Sequence, residues 1–196
     1  LYDNSLEHPN YQEMKKETSS DPKFATQTPA NADPALVELF KDSIMDIYWA
    51  ENHLVKMLPK MIEASSSEKL KQTITTHLDE TKVHVKRLQE VFSLLGEEPL
   101  AKKCEAMEGL VLEGEEIVES TEPGTATRDV GIILASQKVE HYEIATYGGL
   151  TQLAKTLGLE GVASLLAKTL AEEKNADVLL TEVAENDINY QASAEA

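Results

Sequence analysis

"HLDETKVHVKRL", residues 77–88, sets Glu80 and His84 four positions apart in a chain rich in carboxylates and poor in aromatics. With about 3.6 residues to a helical turn, the two side chains share one face of a helix. Such a pair is either a solvated i,i+4 contact or part of a metal site turned into a helical bundle. The rest of the chain decides between the two.

Upstream, Asp33 is a candidate N-cap and Pro34 suits the first helical position, where its missing N–H costs nothing. Phe40, Ile44, Ile47, Glu51, Leu54, Leu58 and Met61 then recur at three- and four-residue steps, which predicts one long helix with one buried stripe. Pro59 is expected to kink it near its end. The spacing predicts a second helix over about 68–95, with Leu70, Ile74, His77, Leu78, Val85, Leu88, Val91 and Leu95 inward. A shorter third covers about 100–119, a fourth about 127–157 and a fifth about 160–186. Strand signals are absent. Two hairpins of long helices joined by a long crossover predict an all-α fold, a ferritin-like four-helix bundle with an additional short helix in the crossover. Residues 34–187 are assigned to the bundle, 1–33 to an extended or flexible N-terminal arm and 188–196 to a C-terminal tail. Tyr2, Tyr11 and Phe24 are candidate anchors of that arm on a neighbouring subunit.

The acids fall where apolar residues belong. Glu51 sits between Ile47 and Leu54 on the first stripe. Glu80 and His84 share a face of the second helix, Glu140 and Glu143 lie on the stripe of the fourth, and Glu173 and Asp177 on that of the fifth. Each is near mid-helix, so a bundle brings all seven toward one level. Burying several carboxylates together costs several kcal/mol for each one left unpaired, about the price of unfolding a marginal domain. Inward lysines or arginines would offset this, but Lys82, Lys86 and Lys174 flank the acids and are expected to point outward. Two cations offset it directly, and carboxylates with an imidazole suit iron or manganese better than magnesium or calcium. Any single Glu on such a stripe can instead reach back to water, so the inference rests on four helices contributing together.

Composition narrows the classes. The formal charge of −17 repels phosphate backbones and anionic membrane surfaces, and with no basic stripe it argues against nucleic-acid and membrane binding. No apolar run approaches the ~20 residues needed to cross a bilayer. Cys104 is the only cysteine, which excludes an internal disulfide and fits a reducing compartment. It reads as a small packed side chain rather than a catalytic thiol. No stretch has the basic-then-apolar layout of a secretory signal, so a cytoplasmic protein is expected.

The stretches "LFKDSIMDIYWAENHLVKMLPKM", "HLDETKVHVKRLQEVF", "CEAMEGLVLEG", "VEHYEIATYGGLTQLAKTLGL" and "LAEEKNADVLLTEVAE" resemble the YciE/YciF group of ferritin-like proteins over about residues 34–187. The resemblance implies a five-helix ferritin-like fold, commonly a homodimer, in bacterial proteins of the stress response. It also implies a dinuclear metal centre.

The pattern departs from the Glu-x-x-His motifs of broader ferritin-like enzymes. The second helix offers Glu80-x-x-x-His84, and the fifth offers Glu173-x-x-x-Asp177 without a histidine. Glu172 rivals Glu173, because laying Glu51 on Glu143 lays Glu80 on Glu172; the stripe of Leu166, Leu170, Leu180 and Ala184 favours Glu173. The expected ligands of two iron or manganese ions are therefore Glu51, Glu80, His84, Glu140, Glu143, Glu173 and Asp177. His77, a turn before Glu80, is expected to stand behind the ligands; His53 is expected to be exposed and His141 to point away. Tyr48, Tyr142 and Tyr147 are candidates to hydrogen-bond the carboxylates or simply to pack. The functional expectation is redox chemistry on peroxide or dioxygen, or ferrous oxidation, with a small oxidant or metal ions as ligands. The alternatives are a non-enzymatic, stress-linked structural or interaction bundle whose metal is absent or purely structural, and mineral storage in a closed cage.

Overall fold

The computed structural model describes residues 32–195. The expected N-terminal arm and its aromatic anchors lie almost wholly outside the described residues. Five helices make the body: α1 (Pro34–Ala64), α2 (Glu68–Leu95), α3 (Glu105–Ser120), α4 (Ala126–Thr156) and α5 (Glu160–Val183). One π-helical turn, Ala184–Ile188, leads into a short α6, Asn189–Ala194. There is no strand among the described residues.

The ends follow local chemistry. Asp33 Oδ1 accepts the Ala35 N–H at 2.8 Å with Pro34 at the first helical position. α1 continues past Pro59 to Ala64. Ser67 caps α2, and Gly96 ends it at φ +72°, a left-handed conformation that only glycine adopts without strain. The third helix begins at Glu105 rather than near Leu100. The Lys102 N–H instead donates to the Met45 carbonyl at 3.1 Å, which holds the approach to α3 against α1. Cys104 Sγ then accepts the Met107 N–H at 3.3 Å. At the C-terminus the backbone of 188–194 is helical, where a tail was expected.

Around the bundle, α1 packs on α2 and α4, and α5 packs on α2 and α4; α3 lies against α4 and α1. The start of α2 meets the start of α4, where Asp129 Oδ1 accepts the Ser66 N–H at 2.8 Å. Its Oδ2 accepts the Ser67 N–H at 2.8 Å and the Ser66 hydroxyl at 2.6 Å. α2 and α4 therefore run the same way, and the crossover through α3 carries the chain back along the length of the bundle. That is the two-hairpin topology of carboxylate-bridged metal bundles.

The core is apolar at both ends and polar in the middle. Phe40, Ile44, Ile47, Leu88 and Val91 are buried on one side, and Leu54, Leu58, Ile74 and Leu180 on the other. Between them lies a buried layer of Glu51, His77, His84, Glu140, Glu143 and Glu173.

Candidate metal centre

Four helices supply this layer. α1 contributes Glu51, α2 His77 and His84, α4 Glu140 and Glu143, and α5 Glu173. Their ligand atoms form two groups, His77, Glu140, Glu143 and Glu173 in one, and Glu51, His84 and Glu173 in the other, with the atoms of each within 4.8 Å of one another. Glu173 belongs to both. Its Oε1 is 2.9 Å from His84 Nδ1, and its Oε2 is 3.9 Å from His77 Nδ1. His84 Nδ1 also lies 3.5 Å from Glu51 Oε1, and His77 Nε2 lies 3.4 Å from Glu140 Oε1.

Few of these contacts are hydrogen bonds. Six carboxylate oxygens, one each on Glu51 and Glu140 and both on Glu143 and Glu173, are buried without a partner. So are three imidazole nitrogens, both of His77 and Nδ1 of His84. His84 Nδ1 is close to Glu173 Oε1 but not aligned for an N–H to donate to it. Proteins rarely leave buried polar atoms unpaired, and nine in one layer is a concentration that needs a physical cause.

Electrostatics points the same way. Burial, with neighbouring carboxylates adding to it, pushes Glu140 and Glu143 well above the usual carboxylate range. Burial also raises Glu51, against the pull of His84. Burial lowers His77. It would lower His84 as well, but Glu173 and Glu51 override it and push His84 up to about 10. Left to themselves these side chains gather protons in place of cations. The donor set fits a cation pair: four carboxylates balance the charge of two divalent ions, and two imidazoles add nitrogen ligands suited to iron or manganese. Glu173 is the one residue common to both groups.

An outer layer orients the inner one. The Tyr147 hydroxyl, fully buried, donates to Glu51 Oε1. His84 Nε2 is 2.9 Å from Glu172 Oε2. Arg87 holds that carboxylate from its far side, donating at 2.6 Å to Oε2 and 3.1 Å to Oε1. Although partial burial opposes it, the Arg87 guanidinium keeps Glu172 below the usual carboxylate range. Bonded through Nε2, His84 turns Nδ1 to the centre, the tautomer control common around metal-binding histidines.

The sequence-derived ligand residues thus divide. Glu51, His84, Glu140, Glu143 and Glu173 come together, while Glu80 and Asp177 stand outside both groups. Glu80 is half-buried beside the layer. Asp177 accepts from Gln137 at 3.3 Å and lies 3.3 Å from His141, whose side chain is largely exposed. His77, expected behind the ligands, enters the layer itself; its place on the stripe of Ile74 and Leu78 was the signal for it. His53, expected at the surface, is half-buried, stacks on Trp49 and lies 3.7 Å from Glu108. Lys82, Lys86 and Lys174 point to solvent, and the cation that approaches the layer is Arg87. Tyr142 serves another cluster, donating to Asp46 at 2.8 Å and lying 3.0 Å from buried Cys104 Sγ. Tyr48 accepts from Gln89 and packs edge-on against Phe92.

A family model described as a domain of unknown function, DUF892, matches residues 35–193. The chain belongs to the DUF892 family. Protein YciF of Escherichia coli (strain K12) is 43% identical to this DUF892 chain over 160 residues, spanning 81% of it and 96% of YciF. The crystal structure of the E. coli stress protein YciF superimposes with a TM-score of 0.76 at 42% identity, covering 80% of this chain and 99% of that one. YcfI of Rhodopseudomonas palustris, described as a candidate structural protein, superimposes with a TM-score of 0.75 at 37% identity, covering 80% and 99% respectively. The all-α bundle and the YciE/YciF resemblance expected from the sequence are therefore shown, and the chain is YciF-like along most of its length.

Proposed function

We propose that this protein is a dinuclear iron or manganese protein of the bacterial stress response, carrying out redox chemistry on peroxide or dioxygen, or oxidising ferrous ion. One observation carries the reading: nine buried, unpartnered ligand atoms from four helices in a single layer. His77, Glu140, Glu143 and Glu173 would hold one ion, and Glu51, His84 and Glu173 the other. Two adjacent redox metals, each changing by one electron, would supply two-electron reduction of an oxidant without release of radicals. The chain's own residues do the rest. Tyr147 orients Glu51, the Arg87–Glu172 pair orients His84, and the apolar ends of the core exclude bulk water from the layer. Glu80, half-buried between the layer and solvent, is placed to pass protons. A homodimer in the cytoplasm belongs to the same proposal. No helix among the described residues is long and apolar enough to cross a membrane.

Metal analysis of natively purified protein, followed by peroxide-consumption and ferrous-oxidation assays on Glu51→Ala, tests the proposal. About two ions per chain and activity lost in the variant are expected. Stoichiometric metal with unchanged activity in Glu51→Ala removes the catalytic claim.

The description of YcfI as a candidate structural protein favours a second reading, a non-enzymatic structural or interaction bundle whose metal is absent or only structural. Chelation separates the two. Loss of the helical fold with no turnover in the intact protein marks a structural role, whereas loss of turnover from a bundle that stays folded marks a catalytic one.

A further inference from the structure

Beside the metal-ligand layer lies a chamber of about 50 Å³ inside the bundle. Its inner wall includes His77 and Glu140, so it is continuous with the layer. The other walls present mostly aliphatic surface, with Leu54, Met57, Val111, Val139 and Leu180 among them, while Thr73, Glu80 and Ser136 add the few further polar groups. Exposed Thr76 and half-buried Leu179 also line it, so it reaches the surface between α2 and α5. The space exists because α3 and α4 face it with small residues. A Cβ added at Gly114 would meet only the Ala135 Cβ, at 3.5 Å.

Resting on the proposed metal centre, we infer that this chamber is a binding site for dioxygen, delivering it to the His77 side of the layer. Size sets the first limit. At about 10–15 Å³ for each water-sized guest, the space takes a few small atoms and excludes an acyl chain or an aromatic ring. Polarity sets the second. A buried water needs about two to four polar partners, and apolar chambers that cannot supply them stay dry and take apolar guests such as xenon. Peroxide carries two O–H donors and meets the same penalty along these aliphatic walls. Dioxygen carries none. Between the two oxidants of the proposed function, the chamber selects dioxygen. The guest's inner neighbour is His77, both of whose ring nitrogens are buried without partners.

Dioxygen is its own probe, because it is paramagnetic and speeds the relaxation of nearby methyl protons. In metal-free protein under dioxygen pressure, with dinitrogen as the control, the methyls of Leu54, Met57 and Val111 are expected to relax several-fold faster than those of Leu88 and Leu166. The latter are buried as well but lie outside the chamber's walls. Gly114→Leu fills the chamber and abolishes the difference, and Gly114→Ala reduces it. Uniform enhancement across the core overturns the inference, as does ordered water throughout the chamber in a crystal structure. In metal-loaded protein, Gly114→Leu is expected to slow dioxygen-dependent oxidation about tenfold at unchanged metal content, with peroxide-dependent turnover within twofold of the parent. Equal loss of both rates overturns the selection of dioxygen. Should the native protein hold no metal yet show the selective relaxation, the dinuclear reading fails and the chamber stands.

Discussion

Glu173 Oε1 lies 2.9 Å from His84 Nδ1 at the centre of the bundle, with both atoms buried and neither in a hydrogen bond. The carboxylate's second oxygen faces His77, so a single side chain of α5 stands between two imidazoles of α2. Several consequences are measurable.

Glu173→Gln keeps the shape and removes the charge common to both ligand groups. Metal content is expected to fall from about two ions per chain to well under one, by mass spectrometry of native protein. A variant that retains both ions disproves the shared role of Glu173.

Arg87→Ala leaves Glu172 without its guanidinium partner and His84 without a fixed orientation. Metal affinity is expected to weaken ~10–100-fold, as for other partners that orient a ligand histidine. Thermal stability of the metal-free form should change far less. Competition titration with a chromophoric chelator measures the first and calorimetry the second.

Metal-free protein is expected to lose stability as pH rises above about 4.5. Glu51, Glu140 and Glu143 have folded pKa values raised, chiefly by burial, above the usual 4.5. Their contribution is fully present below 4.5 and is lost as pH climbs through the folded values. His84, raised from 6.5 to about 10, acts in the same direction at higher pH. His77 is lowered from 6.5 and opposes them, its contribution being complete above 6.5 and lost on acidification through its folded value. Three acids and His84 outweigh it. Saturating manganese should flatten or reverse the slope, since the ligands bind cations in their deprotonated forms. Melting temperatures across the range, with and without metal, give both curves.

Asp129→Ala is expected to destabilise the fold by about 3 kcal/mol, and Asp129→Asn by about half that, in urea unfolding at fixed metal content. The carboxylate is buried and accepts three hydrogen bonds from Ser66 and Ser67, which tie the α1–α2 turn to the start of α4. A loss under about 1 kcal/mol for Asp129→Ala would mean the tie is dispensable.

The helices were legible in the sequence because helical order is local. The stripe from Phe40 to Met61 and the caps at Asp33 and Gly96 depend on residues within a turn or two of one another. The same local period set Glu51, Glu140, Glu143 and Glu173 on buried faces. Only packing decided the rest of the layer. One residue is ~100° of rotation about a helix axis, so the roll of α2 against α1 and α5 decides that His77, already on the inward stripe, joins the ligands while Glu80 stays at the boundary. Likewise Glu172 turns to Arg87 while Glu173 turns to the core. Asp129 meets Ser66 across 63 residues of chain, and the chamber beside His77 is bounded by residues of five helices. Periodicity carries the direction of each side chain relative to its own axis. How those axes are rolled and which carboxylates face a common cation is set by contacts between helices, which no single helix encodes.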